Sequence, residues 1–165
     1  MRIGSRIMVA AGAFAAAIAM SAVPAAAASP HYISGPNCDV NSVGTQLTCS
    51  GKIAGLGSSP LFIVVNEATI CTTQSGSNSP PGQRSFVTGP FNPSNGQFTF
   101  GPGTGNNVSV TASGCPGTQT ASFSGTPTLS VYECTSGQPT FSKKTGAQTN
   151  SNCTLVLGPT PAPPS

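Results

Sequence analysis

The sequence has very few of the side chains that carry out acid–base chemistry. It contains three carboxylates, Asp39, Glu67 and Glu133, and one histidine, His31, and only 5% of its residues are charged. A Ser–His–Asp arrangement would have to combine His31 with Asp39, and there is no G-x-S-x-G motif. Glu67 and Glu133 are the one plausible carboxylate pair for glycoside hydrolysis. The sequence therefore favours a protein that is not an enzyme, with no catalytic residues and no cofactor.

Other absences exclude further kinds of site. No two cysteines form the close C-x-x-C pair that is typical of structural zinc sites, so we expect no metal site. There is no tryptophan, and the only tyrosines are Tyr32 and Tyr132, so stacking of sugars on exposed aromatic rings is a weak prediction. After residue 28 no run is long and apolar enough to cross a bilayer. We therefore expect no membrane insertion once an export segment has been removed.

The first 28 residues have the pattern of a secretory signal peptide. Arg2 and Arg6 give a positive start, Ile7–Met20 is apolar, and the small residues Ala25–Ala28 suit signal peptidase. This pattern predicts a secreted, extracellular protein. Without these residues four cations stand against three acids, a net charge of +1 instead of +3. Since so neutral a surface releases few counterions, we expect no nucleic-acid partner.

Six cysteines follow the export segment, and their number is even. In an oxidising compartment such a set predicts disulfides, which stabilise a small domain with a modest apolar core. Six cysteines allow fifteen connectivities. The six residues are Cys38, Cys49, Cys71, Cys115, Cys134 and Cys153.

Spacing favours one of these connectivities. The first two cysteines are equidistant from a turn at Val43-Gly44, so a hairpin there would place them opposite each other. The last two flank a single long loop, and the remaining two are left for each other. The expected bonds are Cys38–Cys49, Cys134–Cys153 and Cys71–Cys115.

Short segments rich in β-branched and aromatic residues alternate with Gly/Pro-rich turn clusters. No stretch after residue 28 has a helical period. This pattern predicts an all-β fold, an antiparallel immunoglobulin-like β-sandwich stabilised by disulfides. Asn95-Gly96, between Phe91 and Phe98, predicts a hairpin turn. The expected strands are Thr45–Ile53, Leu61–Cys71, Arg84–Phe91, Gln97–Phe100, Asn107–Ser113, Thr118–Phe123, Thr128–Cys134 and Cys153–Leu157.

The same pattern divides the chain into four parts. We expect a signal peptide at 1–28, an N-terminal lead-in segment at 29–36, the β-sandwich domain at 37–157 and a Pro-rich tail at 158–165. Within the lead-in segment, Ser29–Ser34 is expected to be either disordered or an edge strand. The tail reads GPTPAPPS. Because proline lacks the backbone N–H that a sheet needs, we expect this tail to be free.

Several short motifs resemble those of a group of small secreted bacterial domains of actinobacterial type. They are CSGKIAGLG at Cys49–Gly57, PGQ at Pro81–Gln83 after Cys71, NGQFTF at Asn95–Phe100, and Cys115-Pro116. The resemblance covers roughly Cys38 to Leu129 and implies a β-rich extracellular domain without implying catalytic residues. Thr72-Thr73-Gln74 departs from the group, which tends to have an Asn there, and the segment with Cys134 and Cys153 resembles an addition.

The favoured function is a non-enzymatic binding or interaction module at the cell surface or in the extracellular medium. A rigid sandwich presents loops well, and the candidate recognition residues are Gln74, Asn78 and Gln83 in one polar loop and Asn106 in another. The expected partner is a protein, a glycan or a small apolar ligand.

Two alternatives remain open. In fold and size the chain is similar to the neocarzinostatin-like apoproteins, a resemblance that implies a carrier of a small apolar ligand in a cleft of the sandwich. A glycan-active hydrolase that uses Glu67 and Glu133 is the less favoured alternative. A concave pocket lined by phenylalanines would distinguish the carrier from a surface module.

Overall fold

The computed structural model describes residues 29–80, 82–142 and 145–165, so the expected signal peptide lies outside the described residues. All regular structure in the described part is β. It holds no helix that is long and apolar enough to span a membrane. The eight strands are β1 His31–Val40, β2 Gln46–Ala54, β3 Leu61–Thr72, β4 Gly82–Phe91, β5 Gln97–Phe100, β6 Val108–Thr111, β7 Thr120–Cys134 and β8 Cys153–Pro161.

The strands form two antiparallel sheets. In sheet A, β1 pairs with one edge of β2, and the other edge of β2 pairs with β5 and β6 in succession. In sheet B, the strand order is β4-β3-β7-β8. An all-β, antiparallel fold with two packed sheets is therefore confirmed.

One apolar core lies between the two sheets, because alternate residues of each strand face it. Its sheet A side includes Leu47, Ile53 and Phe100, and its sheet B side includes Ile63 and Leu129. Strand β3 is buried from Leu61 to Val65 without alternation, so its outer face is covered as well. The residues that cover this outer face lie beside the candidate site.

Five phenylalanine side chains pack on one another in the core between the sheets. The Phe98 ring centroid lies 5.0 Å from that of Phe91 and 5.9 Å from that of Phe100. Phe86 and Phe123 meet edge to face at 5.5 Å. The cleft that the carrier alternative requires is not formed by these residues, since their rings pack on one another.

All three expected disulfides are present. Cys38–Cys49 closes the β1–β2 hairpin, Cys134–Cys153 closes the start of the β7–β8 pair, and Cys71–Cys115 ties the end of β3 to the β6–β7 loop. The hairpin register places Cys38 directly opposite Cys49. The equal spacing of these two cysteines about the turn therefore predicted their pairing correctly.

The expected free tail at 158–165 is wrong. Strand β8 continues to Pro161, and Ala162 is fully buried in the core. Because β8 is an edge strand, its prolines can lie there while Thr160 pairs with Leu129. The Pro163 carbonyl then accepts a hydrogen bond from the Cys38 amide, so the tail joins the edges of both sheets.

The N-terminal boundary and the turn at Asn95-Gly96 also differ in part from expectation. Strand β1 begins at His31, so much of the lead-in segment 29–36 belongs to the sandwich. Asn95 and Gly96 adopt the expected positive φ of 50° and 69°. Ser94 and Gln97 close the expected two-residue turn by exchanging both backbone hydrogen bonds, at 2.9 and 3.0 Å. The strands that the turn connects are not paired with each other, because β4 lies in sheet B and β5 in sheet A. The two segments expected around Gly125 form the single strand β7.

Candidate functional site

The outer face of sheet B carries a second apolar cluster. It consists of Phe62, Val64, Tyr132 and the Cys134–Cys153 disulfide, with Phe141 packed against it. Phe141 comes from the long connection between β7 and β8, and its ring meets that of Tyr132 edge to face at 5.7 Å. The connection therefore lies over this end of the sheet face and shields the cluster from water.

Side-chain amides hold this connection in place. The Gln148 Nε2 donates to the carbonyls of Asn150 and Cys153, both at 2.7 Å. The Asn150 side chain accepts from the Thr140 amide and donates to the Gln138 carbonyl, both at 3.0 Å. These hydrogen bonds, together with the Cys134–Cys153 disulfide that joins the two ends of the connection, give the connection a defined shape although it contains no long strand.

Beside the connection, the rest of the outer face forms an open groove of about 890 Å³. Its floor contains polar residues from three adjacent strands: Asn66 of β3, Gln83 and Ser85 of β4, and Thr128 of β7. Phe141 lines it on the side of the connection. The remaining lining residues are Arg84, Gly114, Ser142, Thr145 and Gly146. We call this cavity the sheet B groove.

Two floor residues are joined by a hydrogen bond. The Ser85 Oγ donates to the Asn66 Oδ1 at 2.7 Å, across the register pair Asn66–Ser85. This bond orients the amide of Asn66, and its Nδ2 makes no hydrogen bond among the described residues. A fixed donor is therefore available in the floor of the groove.

Among the described residues that line the groove, Arg84 is the only one with a positive charge. Its Nη2 donates to the Gly114 carbonyl at 3.1 Å, which anchors the exposed side chain to the β6–β7 loop. In register it lies across from Glu67, yet no ion pair joins the two side chains. The guanidinium charge therefore has no carboxylate partner within the described residues.

Glu67 is a buried acid inside sheet B, with 2% of its surface exposed. It lies at an irregularity of the β3–β7 pairing between Asn66 and Ala68. Its Oε1 accepts from the Ala68 amide at 2.9 Å, whereas its Oε2 is buried with no partner. Burial raises the pKa of this carboxyl, and the Ala68 hydrogen bond opposes the rise.

This buried acid predicts a pH effect on stability. In the unfolded chain the Glu67 carboxyl loses its proton above its ordinary pKa of 4.5, whereas in the folded protein it keeps the proton to a higher pH. The free energy of unfolding should therefore fall as the pH rises from 4.5 through the raised pKa of the folded state. Glu67→Gln should remove that slope and raise stability above the window by about 1 kcal/mol. Urea denaturation across a pH series measures both effects.

Asp39→Asn is the matched control for this pH series. Hydrogen bonds from Ser165 lower the pKa of Asp39, so its contribution is lost as pH falls through that lowered value. The control should therefore keep the slope that Glu67 causes. An unchanged slope in Glu67→Gln would contradict the assignment.

The two carboxylates that the hydrolase alternative requires lie far apart. Glu133 is opposite Leu61 on β3, and Glu67 is six residues further along the same strand. At the rise of a β-strand this separation is about 20 Å, well beyond the roughly 5–9.5 Å between paired glycosidase carboxyls. The Glu133 Oε1 instead accepts a hydrogen bond from the Gly57 amide at 2.6 Å. Glu67 and Glu133 cannot act on one glycosidic bond.

His31 also has no catalytic or metal-binding partner in the described part of the chain. It is exposed at the start of β1, where its Nδ1 lies 2.8 Å from the Ser29 carbonyl oxygen. Asp39 is near the other end of that strand, about 26 Å away at the strand rise. No three His, Cys, Asp or Glu side chains of the described residues lie close enough together to hold a metal ion.

The four recognition residues expected from the sequence lie in three different places. Gln83 lines the sheet B groove. Gln74 and Asn78 are in the β3–β4 loop, where Gln74 faces the β6–β7 loop across a smaller cavity and Asn78 accepts from Thr72 Oγ1. Asn106 holds its own loop at the edge of sheet A by donating to the Thr99 carbonyl. The structure therefore does not bring them together.

Four residues of the groove were not predicted from the sequence, because three of them lie within strands and the fourth in a long loop. They are Asn66, Ser85, Thr128 and Phe141. One signal could have found Asn66. It follows Phe62 and Val64 on the same strand face, in the run LFIVVNEATI, and it is the first polar residue of that series. A polar residue at that position indicates that, from there on, the outer face of β3 is no longer covered by apolar residues.

No protein-family model, curated protein or solved structure matches this chain. The function must therefore be inferred from the sheet B groove and the residues around it.

Proposed function

We propose that this protein is a secreted, non-enzymatic binding module and that the sheet B groove is its recognition surface. The observation that carries the proposal is the floor of the groove, where polar side chains from three paired strands converge beside Phe141. Export is supported by the signal-like first 28 residues and by the three disulfides.

Binding fits the groove better than catalysis does. Apart from Arg84, its described lining consists of amides, hydroxyls, glycines and one aromatic ring, which supply neither a general base nor a nucleophile paired with one. The buried acid Glu67 does not line it. Such a surface can hydrogen-bond a ligand without activating it.

The groove is also preformed, which favours binding. Its floor lies on β3 and β7, which are paired on both edges, and on the edge strand β4, which is paired with β3. Its side is fixed by the Cys134–Cys153 disulfide and the amide network. Since little of this surface has to be ordered when a ligand arrives, the entropic cost of binding is small.

The strand order supports an immunoglobulin-like type of sandwich. With β5 and β6 taken as one interrupted strand, β1-β2-β5 faces β4-β3-β7-β8. This corresponds to the A-B-E and C′-C-F-G sheets of that fold. On this assignment the groove lies on the outer face of the C′-C-F-G sheet.

The proposal can be tested by mapping ligand contacts with NMR. Isotope-labelled protein is titrated with panels of neutral oligosaccharides, acidic oligosaccharides and short peptides, and backbone and side-chain amide shifts are followed. We expect the shifts caused by a binding ligand to cluster at Asn66, Gln83 and Ser85.

Two variants make this test specific. Asn66→Ala with Ser85→Ala removes the hydrogen-bonded pair of the groove floor, and binding should weaken about tenfold or more. Thr48→Ala with Ser109→Ala removes a comparable pair on sheet A, at 3.3 Å, and should leave binding unchanged. Shifts that cluster elsewhere, or equal losses in both variants, would overturn the proposal.

A further inference from the structure

Resting on the proposed function, we infer that the ligand of the sheet B groove is a carbohydrate that carries carboxylate groups, a uronate-containing oligosaccharide. The inference names the chemistry of the occupant, and three features of the groove carry it. They are the pairing state of its strands, the character of its polar lining with Phe141, and the charge of Arg84.

The strand pairing favours a sugar over an extended peptide. Peptides that bind to sheets usually add a strand to a free edge and use main-chain hydrogen bonds. Asn66 on β3 is already paired with Ser85 on one side and Thr128 on the other, and Thr128 is also paired with Pro161. The backbone of β3 and β7 in the groove floor is therefore occupied, and recognition over these two strands depends on side chains. Strand β4 is the edge strand of sheet B and keeps one edge without a partner strand among the described residues, so the NMR panels also test whether a peptide adds there.

The available side chains match the hydroxyl groups of a sugar. Asn66 and Gln83 each offer amide donors and acceptors, and Ser85 and Thr128 offer hydroxyls that can donate and accept. Phe141, half-buried against Tyr132, adds an apolar surface on which the C–H face of a pyranose ring can pack. A pyranose presents both hydroxyl groups and an apolar C–H face, so it can contact both kinds of side chain.

Arg84 favours a ligand that carries a negative charge. A guanidinium can bind a carboxylate through two parallel hydrogen bonds. In the groove it is anchored by one donor to Gly114 and has no acidic partner among the described residues. No carboxylate belongs to the described groove lining, and the buried Glu67 that lies across from Arg84 in register forms no ion pair with it, so an anionic ligand meets an unpaired positive charge.

The test compares each acidic ligand with its own neutral form. Oligogalacturonate, oligomannuronate and oligoglucuronate of defined length are titrated calorimetrically into the disulfide-bonded protein, each alongside its methyl ester. Esterification removes the charge and keeps the sugar backbone. We expect at least one acid to bind about tenfold more tightly than its ester, because a charge-assisted hydrogen bond is stronger than a neutral one.

Three variants locate this preference. Arg84→Gln should reduce the affinity for the acid to that for the ester, and Arg84→Lys should keep a smaller preference because its ammonium binds as a point charge. Lys52→Gln removes a cation that does not line the groove and should keep the full preference. Thermal denaturation of each variant checks that the exposed substitution leaves the fold intact.

The remaining outcomes separate this inference from the proposed function. Equal affinity for acid and ester would overturn the charge selection while the groove remained a binding site. If no uronate binds but the NMR panels place a peptide or neutral sugar in the groove, the ligand class is wrong and the function stands. If no ligand of any panel reaches the groove, both fail.

Discussion

Removing the Cys71–Cys115 disulfide by substituting both residues with alanine is expected to destabilise the protein more than removing either of the other two bonds. The bond closes 44 residues of chain, whereas Cys134–Cys153 closes 19 and Cys38–Cys49 closes 11. From loop-closure entropy in the unfolded chain, the expected loss is about 4 kcal/mol for the first and about 3 kcal/mol for each of the others. Equilibrium urea denaturation of the three double variants gives the ranking.

Core packing predicts the opposite ranking, which makes this comparison informative. Cys38 and Cys49 are 1% and 0% exposed in the main core, while Cys71, at 8%, lies near its margin. If the Cys38–Cys49 variant lost the most, the cavity left in the core would dominate over chain entropy. The denaturant slope provides a second readout, since losing a cross-link exposes more surface in the unfolded state and steepens it.

The location of Cys71–Cys115 gives this bond a structural role as well. It links the end of β3 to the β6–β7 loop, whose Gly114 anchors Arg84. The double variant should therefore also weaken any charge preference of the groove, while Cys38–Cys49, on the far edge of sheet A, should not affect it. Loss of both stability and charge preference in this variant would connect the fold to the proposed ligand selection through this loop.

The sequence was sufficient to predict most strands and the disulfides because those features depend on local patterns. Five of the eight expected strand segments correspond to β2–β6, and a sixth covers the first five residues of β8. The cysteine spacing about Val43-Gly44 reproduces the observed register. β-Branched runs and turn residues determine such elements with little help from the rest of the chain.

Features that depend on distant parts of the chain were not predictable in this way. The tail was expected to be free because of its prolines, but whether a proline is tolerated depends on its being at an edge, which is a property of the sheet order. Pro161 satisfies that condition next to Thr128. The start of β1 was expected to be either disordered or an edge strand, and the structure shows the edge strand. The choice was open because Gly35-Pro36 interrupts the strand at an irregularity of its pairing with β2.

The candidate site was predictable only at Gln83. The groove depends on which strands are neighbours and on where the β7–β8 connection lies over sheet B, and neither follows from local patterns. Asn66, Ser85 and Thr128 are far apart in sequence and meet only through the β4-β3-β7 order. Local patterns therefore favoured loops as recognition elements, whereas the proposed groove lies on the polar face of a sheet.

Gly89→Ala is expected to be the most damaging single substitution in strand β4. The β3–β4 register passes from Leu61–Phe91 to Ile63–Thr88, so two residues of β4 lie opposite Phe62 alone. Gly89 occupies this bulge with a φ of +123°, and a Cβ there would lie 2.7 Å from the Leu61 carbonyl oxygen and 3.0 Å from the Phe62 Cδ1. An alanine must adopt a strained backbone and displace β3, at a combined cost of about 3 kcal/mol.

Gly82→Ala, in the same strand, provides the matched control. Its Cβ would meet no atom within 4 Å, and its φ is not positive, so the change in stability should stay within about 0.5 kcal/mol. Urea denaturation of both variants tests the difference, and equal losses would show that β4 tolerates no added methyl group for reasons unrelated to the bulge. Because β4 also carries Gln83 and Ser85, a displacement at Gly89 should weaken ligand binding in the groove, whereas the control should not.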